Sequence, residues 1–142
     1  MCNNCFSEEE KKKLRSQSIL KREEWSDIRS EFKGMGYSDD DLERPIIGIA
    51  NTWNEINPGH TNLRMLAEQV KRGIYRAGGT PAEFGTIGIC DGPPTGNEGM
   101  HFVLPHRELI ADSIEVMVEA NRLDGIVLMG SCDKIVPALL MV

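Results

Sequence analysis

Three apolar runs, spaced by amphipathic stretches, constrain this chain more than any other feature of it. Pro45-Ile46-Ile47-Gly48-Ile49-Ala50 is continuously apolar, Ala82 to Cys90 carries the bulky Phe84, Ile87 and Ile89, and Gly125-Ile126-Val127-Leu128-Met129 ends at Gly130. Short unbroken apolar runs suit strands covered on both faces, as in a parallel sheet. Between the first two runs, Leu63, Leu66, Ala67, Val70, Ile74 and Ala77 trace one side of a helix that Gly78-Gly79 would stop. Between the second and third, Pro105 suits the first turn of a helix in which Ile110, Ile114, Met117 and Val118 face inward and Asp112, Glu115, Glu119 and Arg122 face water. Strand, helix, strand, helix, strand with right-handed crossovers predicts an α/β fold. Its parallel sheet with flanking helices would form a partial three-layer α/β/α domain over 45–142.

Residues 1–44 read as a helical amino-terminal arm. Ser7-Glu8-Glu9-Glu10 has capping-box spacing for a short helix through Lys13 or Leu14. Trp25, Ile28, Phe32 and Met35 recur at helical spacing up to Gly34 or Gly36, and this stripe is expected to pack into the core. Ser38-Asp39-Asp40-Asp41 caps one further turn before Pro45. These acids lack the Gly and terminal Glu of a calcium loop, so they read as a solvated helix start.

The charge balance bears on partners. Against 22 Asp+Glu stand 16 Lys+Arg, for a net charge of -6, which argues against a phosphate-backbone binder. No apolar run follows a basic start and no stretch reaches membrane-spanning length, so a soluble, cytoplasmic protein with no nucleic-acid and no membrane partner is expected. Cys2, Cys5, Cys90 and Cys132 would then be reduced thiols. Cys2 and Cys5 have Cys-x-x-Cys spacing that suits a metal, although no second pair or His follows nearby.

The predicted topology sends three loops, 51–60, 91–100 and 131–137, out of the carboxyl ends of the strands, where open α/β sheets bind ligands. The third is the densest in chemistry: Ser131-Cys132-Asp133-Lys134 follows Gly130 directly and precedes Pro137. Adjacent residues on a strand point to opposite faces, so these groups converge only if the chain curls away at Ser131. Asp91 and Asp133 are hard oxygen donors at equivalent strand ends and suit a magnesium ion completed by water and substrate, or else cap turn amides. Lys134 would pair with a substrate carboxylate or serve as a base, against the plain reading of a surface lysine. Cys132 would hold a soft metal or act as a nucleophile. His60, His101 and His106 read as hydrogen-bonded loop or cap residues.

These residues carry a resemblance. Leu14-Arg15-Ser16, Pro45 to Glu55, Asn57-Pro58-Gly59-His60, Cys90-Asp91-Gly92, Glu98-Gly99-Met100, Leu104-Pro105 with Arg107-Glu108, Ile110-Ala111-Asp112-Ser113 and Cys132 to Pro137 occur in an order and density that resemble the dihydroxy-acid dehydratase and phosphogluconate dehydratase family, nearest its dihydroxy-acid dehydratases of branched-chain amino-acid biosynthesis. The resemblance implies a hydro-lyase that converts a 2,3-dihydroxy carboxylic acid to a 2-keto acid. It implies magnesium on the carboxylate and C2 hydroxyl and an iron-sulfur cluster as Lewis acid on the departing C3 hydroxyl. By position Cys132 would be a cluster ligand, Asp91 and Asp133 magnesium ligands, and Lys134 a catalytic residue and, once carbamylated, a further magnesium ligand. Gly59 stands where two-iron members have cysteine, which favours a four-iron cluster.

The departures are local. Pro93-Pro94-Thr95-Gly96-Asn97 replaces the usual run after Asp-Gly, and His106 replaces a common serine, so a sugar acid such as an aldonate or phosphogluconate is the alternative substrate. Family members run much further, as homodimers or homotetramers. The 142-residue chain is therefore expected to be an inactive fragment, with Leu139, Leu140 and Met141 short of packing partners. Two readings from other classes compete. One is a non-catalytic phosphate- or nucleotide-binding module using the Asp91 to Met100 loop, which lacks a Walker or dinucleotide fingerprint. The other is a small metal-binding regulator built on Cys2 and Cys5.

Overall fold

The computed structural model describes Ser7, Glu9, residues 13–21 and residues 23–142. The capping box at Ser7 to Glu10 and the Cys2/Cys5 pair involve residues outside that set.

Ahead of the sheet lie the short helices α1 (Gln17–Leu20), α2 (Ser26–Gly34) and α3 (Asp39–Leu42). They are followed by β1 (Ile46–Asn51), α4 (Leu63–Arg76), β2 (Thr80–Gly85), α5 (His106–Ala120), β3 (Gly125–Met129) and α6 (Ile135–Leu140). The sheet is parallel in the order β2-β1-β3, with Ile46 opposite Thr80 and Ile47 opposite Gly125. Strand periodicity then separates the faces. Ile49, Val127 and Met129 pack with Leu63, Ala67, Val70 and Ile74 of α4. Ala50, Phe84, Ile126 and Leu128 pack on the other face with Ile110 and Ile114 of α5 and Ile135, Ala138 and Leu139 of α6. Helices therefore cover both faces, the predicted layered α/β arrangement. A third cluster joins Leu20, Leu42, Ile46 and Leu123, so the opening helices share a core with the base of β1.

That base is fastened by Asp124. Its carboxylate accepts from the Ser16 amide (3.0 Å), the Ser16 hydroxyl (2.6 Å) and the Ile46 amide (2.8 Å). Ser38 forms the expected cap of α3 with Asp41 as its reciprocal partner.

Several boundaries differ from the sequence expectation. β2 runs from Thr80 to Gly85 rather than from Ala82 to Cys90. β1 ends at Asn51, and after the Thr86 amide bonds to the Asn51 carbonyl the chain has no ladder to join. Of the stripe Trp25, Ile28, Phe32, Met35, only Ile28 and Phe32 pack into a core, because Trp25 precedes α2 and Met35 follows its last residue. Leu66 and Met117, expected to face inward, are exposed. At the other end Leu139 is packed in the core, contrary to expectation, while Leu140 and Met141 are exposed.

Candidate functional site

Loop 51–60 is built as a rigid shelf by its own side chains. Asn54 Oδ1 accepts from the amides of Ile56 and Asn57, and Asn54 Nδ2 donates to the carbonyls of Thr52 and Gly88, which ties in the loop after β2. Asn57 Oδ1 accepts from the Gly59 amide at 3.0 Å. These are Asx turns, in which a short amide replaces a ladder that has ended.

His60 joins this shelf to the loop after β3. It is fully buried, with Nδ1 2.6 Å from the Thr52 carbonyl and Nε2 3.2 Å from the Ser131 amide. A carbonyl can only accept, so Nδ1 carries a proton, while Nε2 faces both the amide and, at 3.1 Å, the carbonyl of Ser131. The Thr52 amide and hydroxyl both bond to the Met129 carbonyl, and the Ser131 hydroxyl donates to the Gly59 carbonyl at 3.0 Å.

The turn out of β3 then divides the reactive residues. At Gly130 a Cβ would lie 2.9 Å from both Ile135 and Leu139, a close approach only glycine permits. Cys132 adopts φ +74°, and this left-handed step provides the curl that the sequence required. Its Sγ faces loop 51–60, 3.6 Å from Asn57 Nδ2 and 3.8 Å from Ser131 Oγ. Lys134 turns the other way: its Nζ lies 2.6 Å from Asp91 Oδ2 and 2.7 Å from Asp133 Oδ2. The residues from separate loops thus meet as two adjoining groups, the Cys132 thiol on Asn57 and the Asp91, Asp133, Lys134 triad.

The triad's electrostatics are one-sided. Hydrogen bonds to Asp133 and then Asp91 hold the Lys134 ammonium above the usual lysine range, against partial desolvation. The hydrogen bond from Lys134 holds Asp133 below the usual carboxylate range. Lys134 therefore stands here as a charged donor, and a general base would need the opposite shift. Asp91 Oδ1 is buried without a hydrogen-bond partner. Two carboxylates converging on a cation, with one oxygen unsatisfied, are a donor set that fits a hard divalent ion. The fit covers one side of such a site: among the described residues, no three His, Cys, Asp or Glu side chains gather as a metal-binding group. Cys132 fits a cluster in the same partial way, as one thiolate. Cys90, at the start of the second loop, is a free thiol.

A cleft of about 750 Å3 lies elsewhere, over β2 and beside α4. Within it Glu83 pairs with Lys71 (2.5 Å) and accepts from Asn51 (2.8 Å), and none of the predicted site residues lines it.

Residues 44–142 match the family described as dihydroxy-acid/6-phosphogluconate dehydratase, N-terminal. The chain belongs to this family. Over 128 residues, 90% of this chain, it is 57% identical to a dihydroxy-acid dehydratase from Methanoregula boonei, and the match spans 23% of that relative. The corresponding identities are 56% for a dihydroxy-acid dehydratase from Pyrococcus furiosus and 54% for one from Acetivibrio thermocellus. The chain thus spans about a quarter of these curated relatives. For this member of the dihydroxy-acid/6-phosphogluconate dehydratase family, the sequence motifs singled out Cys132, Asp91, Asp133 and Lys134 but gave no role to Asn54, Asn57 or Asp124. The spacing Asn54-x-x-Asn57 in a loop of otherwise unsupported amides was the available signal.

Proposed function

We propose that this chain forms one wall of the active site of a dihydroxy-acid dehydratase, a hydro-lyase that takes a 2,3-dihydroxy carboxylic acid to a 2-keto acid. The observation that carries the reading is the meeting of Asp91 and Asp133 at Lys134, on the same turn as Cys132, in a chain of this family. Asp91 and Asp133 would hold Mg2+, and Cys132 would give one thiolate to an iron-sulfur cluster, four-iron by the presence of Gly59. When bound, these groups supply positive charge at the substrate carboxylate and C2 hydroxyl on one side and at the departing C3 hydroxyl on the other. Asp91 Oδ1, without a partner among the protein groups, is the oxygen free to take the magnesium. Lys134 holds the two carboxylates together, and carbamylation would turn it from a competing cation into an oxygen donor. His60 and Ser131 keep the thiol-bearing turn against loop 51–60. The protein would act as a soluble cytoplasmic homodimer or homotetramer; among the described residues no helix is long and apolar enough to cross a membrane.

A sugar acid is the second reading, favoured by the loop after Asp91. Thr95 Oγ1 bonds to the Asp91 carbonyl at 2.6 Å and Asn97 Nδ2 to the Pro93 carbonyl at 3.2 Å, which gives the crevice a tight, polar turn of its own. The test is a chimera in which this chain replaces the matching segment of the Methanoregula boonei relative. We expect 2-keto acid from 2,3-dihydroxyisovalerate, a loss of at least 100-fold in Asp91→Asn and in Cys132→Ser, and little product from gluconate or 6-phosphogluconate. Turnover unaffected by Asp91→Asn would refute the reading, and preference for the sugar acid would select the alternative.

A further inference from the structure

We propose that Asn57 is a positioning residue whose side-chain amide donates a hydrogen bond to the metal-bound sulfur of Cys132 and thereby tunes the metal centre held there. The inference rests on the reading above, in which Cys132 is a metal thiolate. Asn57 is 2% exposed, and both ends of its amide lie near the sulfur, Nδ2 at 3.6 Å and Oδ1 at 3.7 Å. Its orientation is fixed independently, because the Gly59 amide can only donate and takes Oδ1 as its acceptor at 3.0 Å. Nδ2 is therefore the end that remains for the sulfur.

A thiol can satisfy this arrangement by donating its own proton to Oδ1. A thiolate or metal-bound sulfur has no proton to give and only lone pairs to offer, so Nδ2–H becomes its natural partner. The contact is held from every side. The backbone amide of Asn57 is fixed by Asn54 Oδ1 at 2.7 Å, and Cys132 is aimed by its left-handed backbone. Position 59 leaves no spare volume, since a Cβ there would lie 2.6 Å from Ser131 Oγ and 3.7 Å from Cys132 Sγ. A donor fixed this firmly costs little further ordering when the sulfur takes metal. Hydrogen bonds to the sulfurs withdraw electron density and raise a cluster's reduction potential.

The first test uses the ¹⁵N-labelled chain with Cys2, Cys5 and Cys90 replaced by Ser, and one equivalent of methylmercury, a soft cation that caps a single thiolate. We expect one Asn57 side-chain amide proton to move downfield and its exchange with solvent to slow at least tenfold, with neither change after Cys132→Ala. Failure of Cys132 to take the cation overturns the underlying reading and the proposal with it. Uptake with no change at Asn57 overturns the proposal alone. The second test compares the chimera described above, anaerobically reconstituted, with its Asn57→Leu variant, which removes the donor without adding charge. A lower midpoint potential and faster cluster loss in air are expected in the variant, and an unchanged potential refutes the tuning role.

Discussion

His60 and Asp124 fill backbone gaps at opposite ends of β1. At the upper end the amide of half-buried Ser131 donates to the buried His60 ring. His60→Phe keeps the volume and leaves that amide without a partner. Unfolding by denaturant should show a loss of about 1 kcal/mol, the net worth of one such hydrogen bond. At the lower end one carboxylate serves three donors on two segments. Asp124→Ala should cost about 3 kcal/mol, in line with hydrogen bonds to a charged group. Hydrogen exchange should localise that loss to the Ser16 and Ile46 amides, and an unchanged exchange rate there would count against the clamp. The sequence marked His60 as a hydrogen-bonded loop residue and the structure agrees. Nothing local in the sequence marks Asp124, because its partners lie 108 and 78 positions away.

Among the elements, α2, α4 and α5 end the same way, with a left-handed residue after the cap and two bonds back into the last turn. In α4 the amides of Gly78 and Gly79 return to the carbonyls of Tyr75 and Ile74. In α2 those of Gly36 and Tyr37 return to Lys33 and Phe32, and the Phe32 and Tyr37 rings meet edge-on at 5.6 Å. In α5 the left-handed position is Arg122, at φ 50°. Arg122→Gly should therefore stabilise the fold by about 1 kcal/mol, measured as a raised melting temperature. The glycine stops were legible in the sequence, whereas Arg122 carries no signature of its conformation.

β2 was misplaced for a related reason. Ile87 and Ile89 alternate as a strand would, yet pairing depends on a neighbour, and β1 has already ended. What fixes β2 is Glu83, bonded to Asn51 of β1 and Lys71 of α4. Burial pushes its carboxyl upward, but the bonds from Lys71 and Asn51 outweigh this and leave it below the usual glutamate range. A carboxyl depressed in the folded state contributes stability above its unfolded value and loses it as pH falls through the folded one. The stability difference between wild type and Lys71→Met should thus be present at neutral pH and shrink in acid below the ordinary glutamate range. A pH-independent difference would rule out this coupling.

On the scale of the whole molecule, exposed apolar residues occur on α5 and α6 as well as at Met35, Ile56, Met65 and Phe102. Leu109 and Val116 lie seven positions apart on one side of α5 and are 59% and 64% exposed, while Leu140 of α6 is 80% exposed. We expect these side chains to favour contact between copies of the chain. Sedimentation should detect concentration-dependent self-association of the chain, weakened when Leu109 and Val116 are both changed to Lys. The layered architecture and the three converging loops were legible because apolar period and topology together decide them. The division of the site into a thiol side and a carboxylate side was not, since it depends on one left-handed residue, Cys132.

The central position of β1 also sets the order in which the site can come into being. β2 joins one flank and β3 the other, and β3 follows both of its companions in the chain. During synthesis the asparagines of the shelf are therefore made before the sulfur that will rest on them. The thiol meets Asn57 only when the third strand docks, so a chain stalled short of that docking would leave the cysteine unguarded against oxidants.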